Sequence, residues 1–166
     1  MTKNSDAYGP PPINNPLAVD ADLTYTFGHV EIDEPSVDLR SLCGNLTSGV
    51  GAFAVWENMV EIEEPVTTVR IYNTNLDRML ITEVHVKDGR PLEIGDYKIP
   101  CVPTGGAKIQ VDFADTAGSS AGNQLPTGNA VEGLKVPGVG NMEVPLVDIC
   151  NAQQFDSYPD MGRTGK

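Results

Sequence analysis

Residues 41–56, SLCGNLTSGVGAFAVW, run without a single charged side chain. Leu46, Val50, Phe53 and Ala54 recur at helical spacing, and Asn45 offers a cap. Gly49, Gly51, Ala52 and Val55 leave the other faces small and uncharged. The pattern predicts a helix over about residues 45–58 that is buried on all sides. Each helical glycine costs ~1 kcal/mol of propensity, so close packing against neighbours is the better explanation for Gly49 and Gly51. A chain that buries a whole helix must wrap other elements around it.

Those elements read as strands. DLTYTFGHVEID, residues 22–33, alternates through Leu23, Tyr25 and Phe27. TTVRIYNTN alternates through Val69 and Ile71. RMLITEVHVKDG alternates through Leu80, Thr82, Val84 and Val86, then ends in a Lys-Asp-Gly turn. AKIQVDFAD and NMEVPLVDI add two more, with Pro145 marking an edge or a bulge in the second. The segment DTAGSSAGNQLPTGN reads as a loop. Residues 1–21 are expected to form an irregular arm, because their prolines lack the N–H that a ladder needs. Residues 152–166 lack an apolar pattern and are expected to be a disordered tail.

Composition excludes several function classes. A net charge of −12 disfavours nucleic-acid binding, which needs a basic surface, and also disfavours an anionic membrane. It leaves room for an anionic small molecule, because backbone N–H groups at a helix start can hold a carboxylate. No segment is long and apolar enough to span a bilayer, and the first residues carry no signal-peptide pattern. Cys43, Cys101 and Cys150 show neither zinc spacing nor a disulfide framework, so a reducing, cytoplasmic setting is expected.

Cys43 is the principal chemical candidate. A thiol just ahead of a helix faces the positive end of the macrodipole and several free N–H groups, which favour the thiolate. Such a group can remove a proton from carbon beside a carboxylate. The amides of Gly44 and Asn45 could then bind that carboxylate and the charge that develops. The alternative reading is a buried structural cysteine. Cys101, between two prolines, reads as a small apolar residue at a strand end, and Cys150 as another structural thiol. His29 and His85 share no metal spacing, and no metal is expected. YNTN (residues 72–75) and PTGN (residues 126–129) are polar turns that could also donate hydrogen bonds to a substrate. PTGGAK lacks P-loop spacing.

In order along the chain, TFGHVEIDEP, CGNLTSGVGAFAV, VRIYNTN, GDYKIPCVPTGGAKIQVDF, LPTGN and EVPLVD resemble the PrpF family. That family includes methylitaconate and aconitate delta-isomerases and oxalomesaconate tautomerases. The resemblance covers about residues 23–151. It implies an α+β, diaminopimelate-epimerase-like fold, with a mostly antiparallel sheet wrapped around a central helix. Only one of the usual two domains is expected, as an incomplete PrpF-type domain over residues 22–151.

The resemblance further implies a cofactor-independent isomerase that shifts a C=C bond in a small di- or tricarboxylic acid. Cys43 would act as acid/base, and Gly44 and Asn45 would hold a substrate carboxylate. Asn73, Asn75, Thr127, Gly128 and Asn129 would be further substrate-binding residues. Family members carry an upstream glycine- and serine-rich segment ending in Ser-Lys, which has no counterpart before Leu23. The resemblance therefore implies either a partner chain or self-association that supplies the missing half, or an inactive carboxylate-binding remnant.

Overall fold

The computed structural model describes residues 2–3, 16–39 and 41–154. It divides into two compact units, Met1–Asp115 and Thr116–Lys166, so the body expected over residues 22–151 is shared between them.

The first unit is built on a six-stranded sheet. β1 (Thr2–Lys3) pairs antiparallel with β2 (Leu23–Tyr25), and a short helix α1 (Pro16–Val19) precedes β2. The arm is thus partly regular where it is described; its other residues lie outside the described set. The strand expected over residues 22–33 is broken. β2 stops at Tyr25, and β3 (His29–Val30) turns back on β4 (Val37–Asp38) as a separate hairpin. Helix α2 (Gly44–Trp56) follows, then β5 (Val66–Asn73), β6 (Arg78–Lys87), β7 (Arg90–Pro91) and β8 (Ile109–Asp112).

β5 and β6 form the spine, antiparallel, with Val69 opposite Thr82 and Ile71 opposite Leu80. β2 runs parallel to β5, and β8 runs antiparallel to β6. Period-two alternation buries Val69 and Ile71 on β5 and Leu80, Thr82, Val84 and Val86 on β6. The Lys-Asp-Gly turn forms as expected: Asp88 and Gly89 take positive φ values of 54° and 71°.

Helix α2 packs one face on this sheet. Val50, Gly51, Ala54 and Val55 are buried. Gly51 lies so close to β6 that an added Cβ would collide with Thr82 Oγ1 and come within 3.1 Å of Val84. Gly49 faces open space, so close packing accounts for only one of the two glycines. The helix is also not buried all round. Leu46 is 60% exposed and Phe53 50%, because the described strands cover only the opposite face. It ends two residues earlier than expected: Asn58 takes the left-handed conformation (φ 53°), and Met59 N–H closes back on Ala54 O.

The second unit holds two hairpins, β9 (Glu132–Val136) with β10 (Gly140–Val144), and β11 (Leu146–Ile149) with β12 (Asn151–Gln154). Pro145 separates β10 from β11, as its missing N–H requires. β12 carries the chain regularly to Gln154, into the region expected to be a tail; residues 155–166 lie outside the described set.

Candidate functional site

Cys43, not Asn45, is the N-cap of α2. Its backbone is extended (φ −101°, ψ 109°) and its side chain makes no capping bond, which leaves the half-buried thiol uncommitted. The Cys43 carbonyl accepts two bonds from Thr47, one from its N–H at 3.0 Å and one from its hydroxyl at 2.8 Å. Thr47 therefore opens the helical ladder. The N–H groups of Gly44, Asn45 and Leu46 come before the first available intrahelical carbonyl. All three residues are exposed, and they directly follow the half-buried Cys43 at the helix start. Asn45 belongs to the first turn, where its carbonyl accepts the Ser48 hydroxyl at 2.7 Å.

The YNTN segment lies at the end of β5, beside β2, with Tyr72 and Asn73 buried, Asn75 partly buried and Thr74 exposed. Asn73 is fully buried, its Nδ2 donating to Tyr25 O and Asn75 Oδ1 while its Oδ1 accepts Leu76 N–H. Asn75 Oδ1 accepts Phe27 N–H at 2.8 Å, and its Nδ2 donates to Phe27 O and Leu39 O at 2.8 and 2.6 Å. These bonds close both ends of the β3–β4 hairpin and fix the chain on either side of the run into Cys43. The polar atoms of Asn73 and Asn75 bond each other and neighbouring main chain, because a turn beside a parallel strand must satisfy groups that the ladder leaves free.

Tyr25 and Thr47 escaped the sequence reading. Tyr25 is buried on β2, with Thr47 and Cys43 as electrostatic neighbours of its phenol. Burial pushes the phenol above its ordinary value and the Cys43 charge adds to this, while Thr47 opposes it. An apolar groove of about 420 Å³ lies alongside, lined in part by Tyr25, Phe27, Leu46, Val50 and Phe53. The alternation of β2 marks Tyr25 as core, but nothing in the sequence shows its oxygen meeting a helix about twenty residues later.

Thr127, Gly128 and Asn129 lie exposed in the second unit. Gly128 takes φ 81°, and Asn129 N–H donates to Thr127 Oγ1 at 3.3 Å. Thr127 and Asn129 both bond the Glu132 carboxylate, Asn129 Nδ2 at 2.7 Å, and these two bonds hold its titration below the usual carboxylate range. In the same unit Asp148 is fully buried; its Oδ2 accepts Ser120 and Ala121 N–H at 2.8 and 2.6 Å and so shapes the loop before PTGN. Cys150 is buried at the β11–β12 turn, where burial, and then Asp148, push its thiol up. Cys101 is exposed with φ 68°, a turn residue rather than the apolar strand end expected.

A profile of the PrpF family, described as PrpF protein, matches residues 13–166. The chain is 42% identical over 164 residues to the 3-methylitaconate isomerase of Eubacterium barkeri, covering 95% of this chain and 43% of that protein. It is 39% identical over 149 residues to the 4-oxalomesaconate tautomerase of Pseudomonas putida, covering 88% of this chain and 39% of that one. The crystal structure of a methylitaconate-delta-isomerase superposes with a TM-score of 0.73 at 43% identity, covering 93% of this chain and 39% of that chain. The chain thus spans about two fifths of the length of these relatives. The agreement of profile, relatives and fold establishes that this chain belongs to the PrpF family.

Proposed function

We propose that this chain carries one half of an isomerase site that moves a C=C bond in a small unsaturated di- or tricarboxylic acid of the aconitate or methylitaconate type. The observation that carries this reading is Cys43 as the N-cap of α2, its side chain making no capping bond, followed by the exposed first-turn residues Gly44, Asn45 and Leu46. The Cys43 thiolate takes a proton from the sp³ carbon next to the double bond. The freed C–H electron pair forms the new C=C bond, and the old π pair moves out to the far carbon. A second acid/base group returns a proton to that carbon. A substrate carboxylate rests on the Gly44 and Asn45 amides, which also stabilise the enolate-like charge. Names of the relatives support the substrate class.

Taken by themselves within the second unit, Thr127, Gly128 and Asn129 are proposed as a separate carboxylate-binding turn. The Glu132 carboxylate already held by Thr127 and Asn129 supports their suitability for that ligand. The second acid/base group comes from a partner chain or a second copy. The free state of all three cysteines supports a cytoplasmic setting. No described helix is long and apolar enough to cross a membrane.

The test is proton exchange in deuterated water with aconitate or methylitaconate, followed by NMR. Deuterium should enter the allylic or vinylic position and disappear in Cys43→Ser. No exchange, or exchange unchanged by the substitution, sinks the catalytic reading. The half-open face of α2 favours a second reading, carboxylate binding without turnover. Binding of the same acids by calorimetry in the absence of exchange would select it.

A further inference from the structure

We propose that Asp148 is the positioning residue of the turn that carries Thr127, Gly128 and Asn129, fixing its leading end so that its polar groups can receive a carboxylate. This deepens the reading of that turn as a carboxylate-binding element and rests on it.

The loop of residues 116–124 is wound about Asp148, which is fully buried in the second unit. Asp148 Oδ2 accepts Ser120 N–H at 2.8 Å and Ala121 N–H at 2.6 Å. The main chain of Asp148 bonds the same loop twice more. Its carbonyl accepts Gly118 N–H at 3.0 Å, and its N–H donates to Gln124 O at 2.8 Å. The Ser120 hydroxyl adds a bond to Cys150 O at 3.0 Å. The loop is also closed on itself: Gly118, at φ 72°, lies so near Asn123 that an added Cβ would come within 2.9 Å of its main chain. Backbone groups that a loop would otherwise leave unpaired are met here by one residue of β11.

The turn starts where this loop ends. Leu125 follows Gln124, and its carbonyl accepts Gly128 N–H at 2.9 Å. Asn129 N–H donates to Thr127 Oγ1 at 3.3 Å. Both bonds are local, so they set the shape of the turn and not its place. At the far end Asn129 Nδ2 donates to Glu132 Oε1 at 2.7 Å, and Glu132 enters β9 opposite Val144 of β10. The two feet of the turn therefore stand on one stretch of chain, residues 144–148. The β9–β10 ladder sets the far foot, and Asp148 sets the leading one. Asp148 Oδ1 is buried and bonds nothing among the described residues. A single acceptor oxygen thus holds the Ser120 and Ala121 amides, and an asparagine side chain also supplies one.

The experiment titrates the isotope-labelled full chain with tricarballylate, a saturated tricarboxylic acid that cannot isomerise, and reads the Gly128 and Asn129 amide signals by NMR. Circular dichroism and urea midpoints establish that each variant is folded. Asp148→Ala should weaken binding at the turn about three- to tenfold, the worth of roughly one hydrogen bond. Asp148→Thr fills nearly the same space without the carboxyl group, should behave like Asp148→Ala, and replaces it if that variant does not fold. Asp148→Asn keeps the acceptor and should bind within about twofold of wild type. Asn129→Ala should weaken binding, and adding Asp148→Ala to it should cost no further affinity, because both changes act through one contact. Wild-type affinity in a folded Asp148→Ala or Asp148→Thr overturns the positioning role alone, since a purely structural residue lowers the urea midpoint and leaves the affinity of the folded chain unchanged. A loss in Asp148→Asn as large as in Asp148→Ala also overturns it. Gly128 and Asn129 signals that do not respond to tricarballylate in the wild type overturn the turn reading and the positioning role together.

Discussion

The hydroxyl of Thr82 fills the space in which a Cβ on Gly51 would have to sit. Gly49, two residues earlier on the same helix, meets nothing within 4 Å. Gly51→Ala and Gly49→Ala share the same gain in helix propensity, so their difference isolates the collision with β6. Gly49→Ala should stabilise by about 0.5–1 kcal/mol. Gly51→Ala should be less stable than Gly49→Ala by about 1–3 kcal/mol. Equal urea midpoints for the two variants would refute the packing of α2 on β6.

Asp148 holds the loop of the second unit through two backbone amides. Asp148→Ala should cost about 1–3 kcal/mol, since a buried acceptor is lost and two N–H groups are orphaned. Hydrogen exchange at Ser120 and Ala121 should speed up far more than exchange in β5 and β6. Unchanged protection of those two amides would remove Asp148 from this role.

Two buried acids set an alkaline limit. Tyr25 is raised from its ordinary 10.0 and Cys150 from its ordinary 9.0, in both cases mainly by burial. A group raised on folding binds its proton more tightly in the native state. The stability linked to Cys150 is therefore fully present below pH 9.0 and declines as pH rises through its elevated value. That of Tyr25 follows the same course from pH 10.0 upward. Tyr25→Phe and Cys150→Ala should each flatten the alkaline fall of the urea midpoint; curves parallel to wild type would contradict the linkage.

Phe53 stands between two apolar grooves, one of about 420 Å³ beside Tyr25 and one of about 410 Å³ beside Trp56 and Leu92. Arg90 covers part of Trp56 at 5.0 Å, but the face as a whole remains open. Exposed apolar surface of this kind drives association. Light scattering after size exclusion should show a mass that rises with concentration, and Phe53→Glu should suppress the rise. A monomer at all concentrations would disprove the proposed self-association.

Alternation made β5 and β6 legible, because Val69 and Ile71 on one strand and Leu80, Thr82, Val84 and Val86 on the other are buried at every second position. The uncharged run after Cys43 likewise declared α2. The same reading carried β2 too far: Phe27 continues the alternation of Leu23 and Tyr25, yet the ladder ends where Asn73, Thr74 and Asn75 take over its hydrogen bonds. The bonds those asparagines make were not legible, since an amide in a polar turn has the same appearance whether it faces water or the main chain.

The order of residues alone determined the spine strands, the helix, the turn at Asp88 and Gly89, and the place of Cys43 at a helix start, since each follows from local period or backbone preference. The tertiary structure alone decided which face of α2 is covered, which glycine is indispensable, and that Tyr25 lies beside Thr47. Those outcomes join residues far apart in the chain, and partners at that distance are selected by the packing of β2, β5 and α2 rather than by any neighbour in sequence.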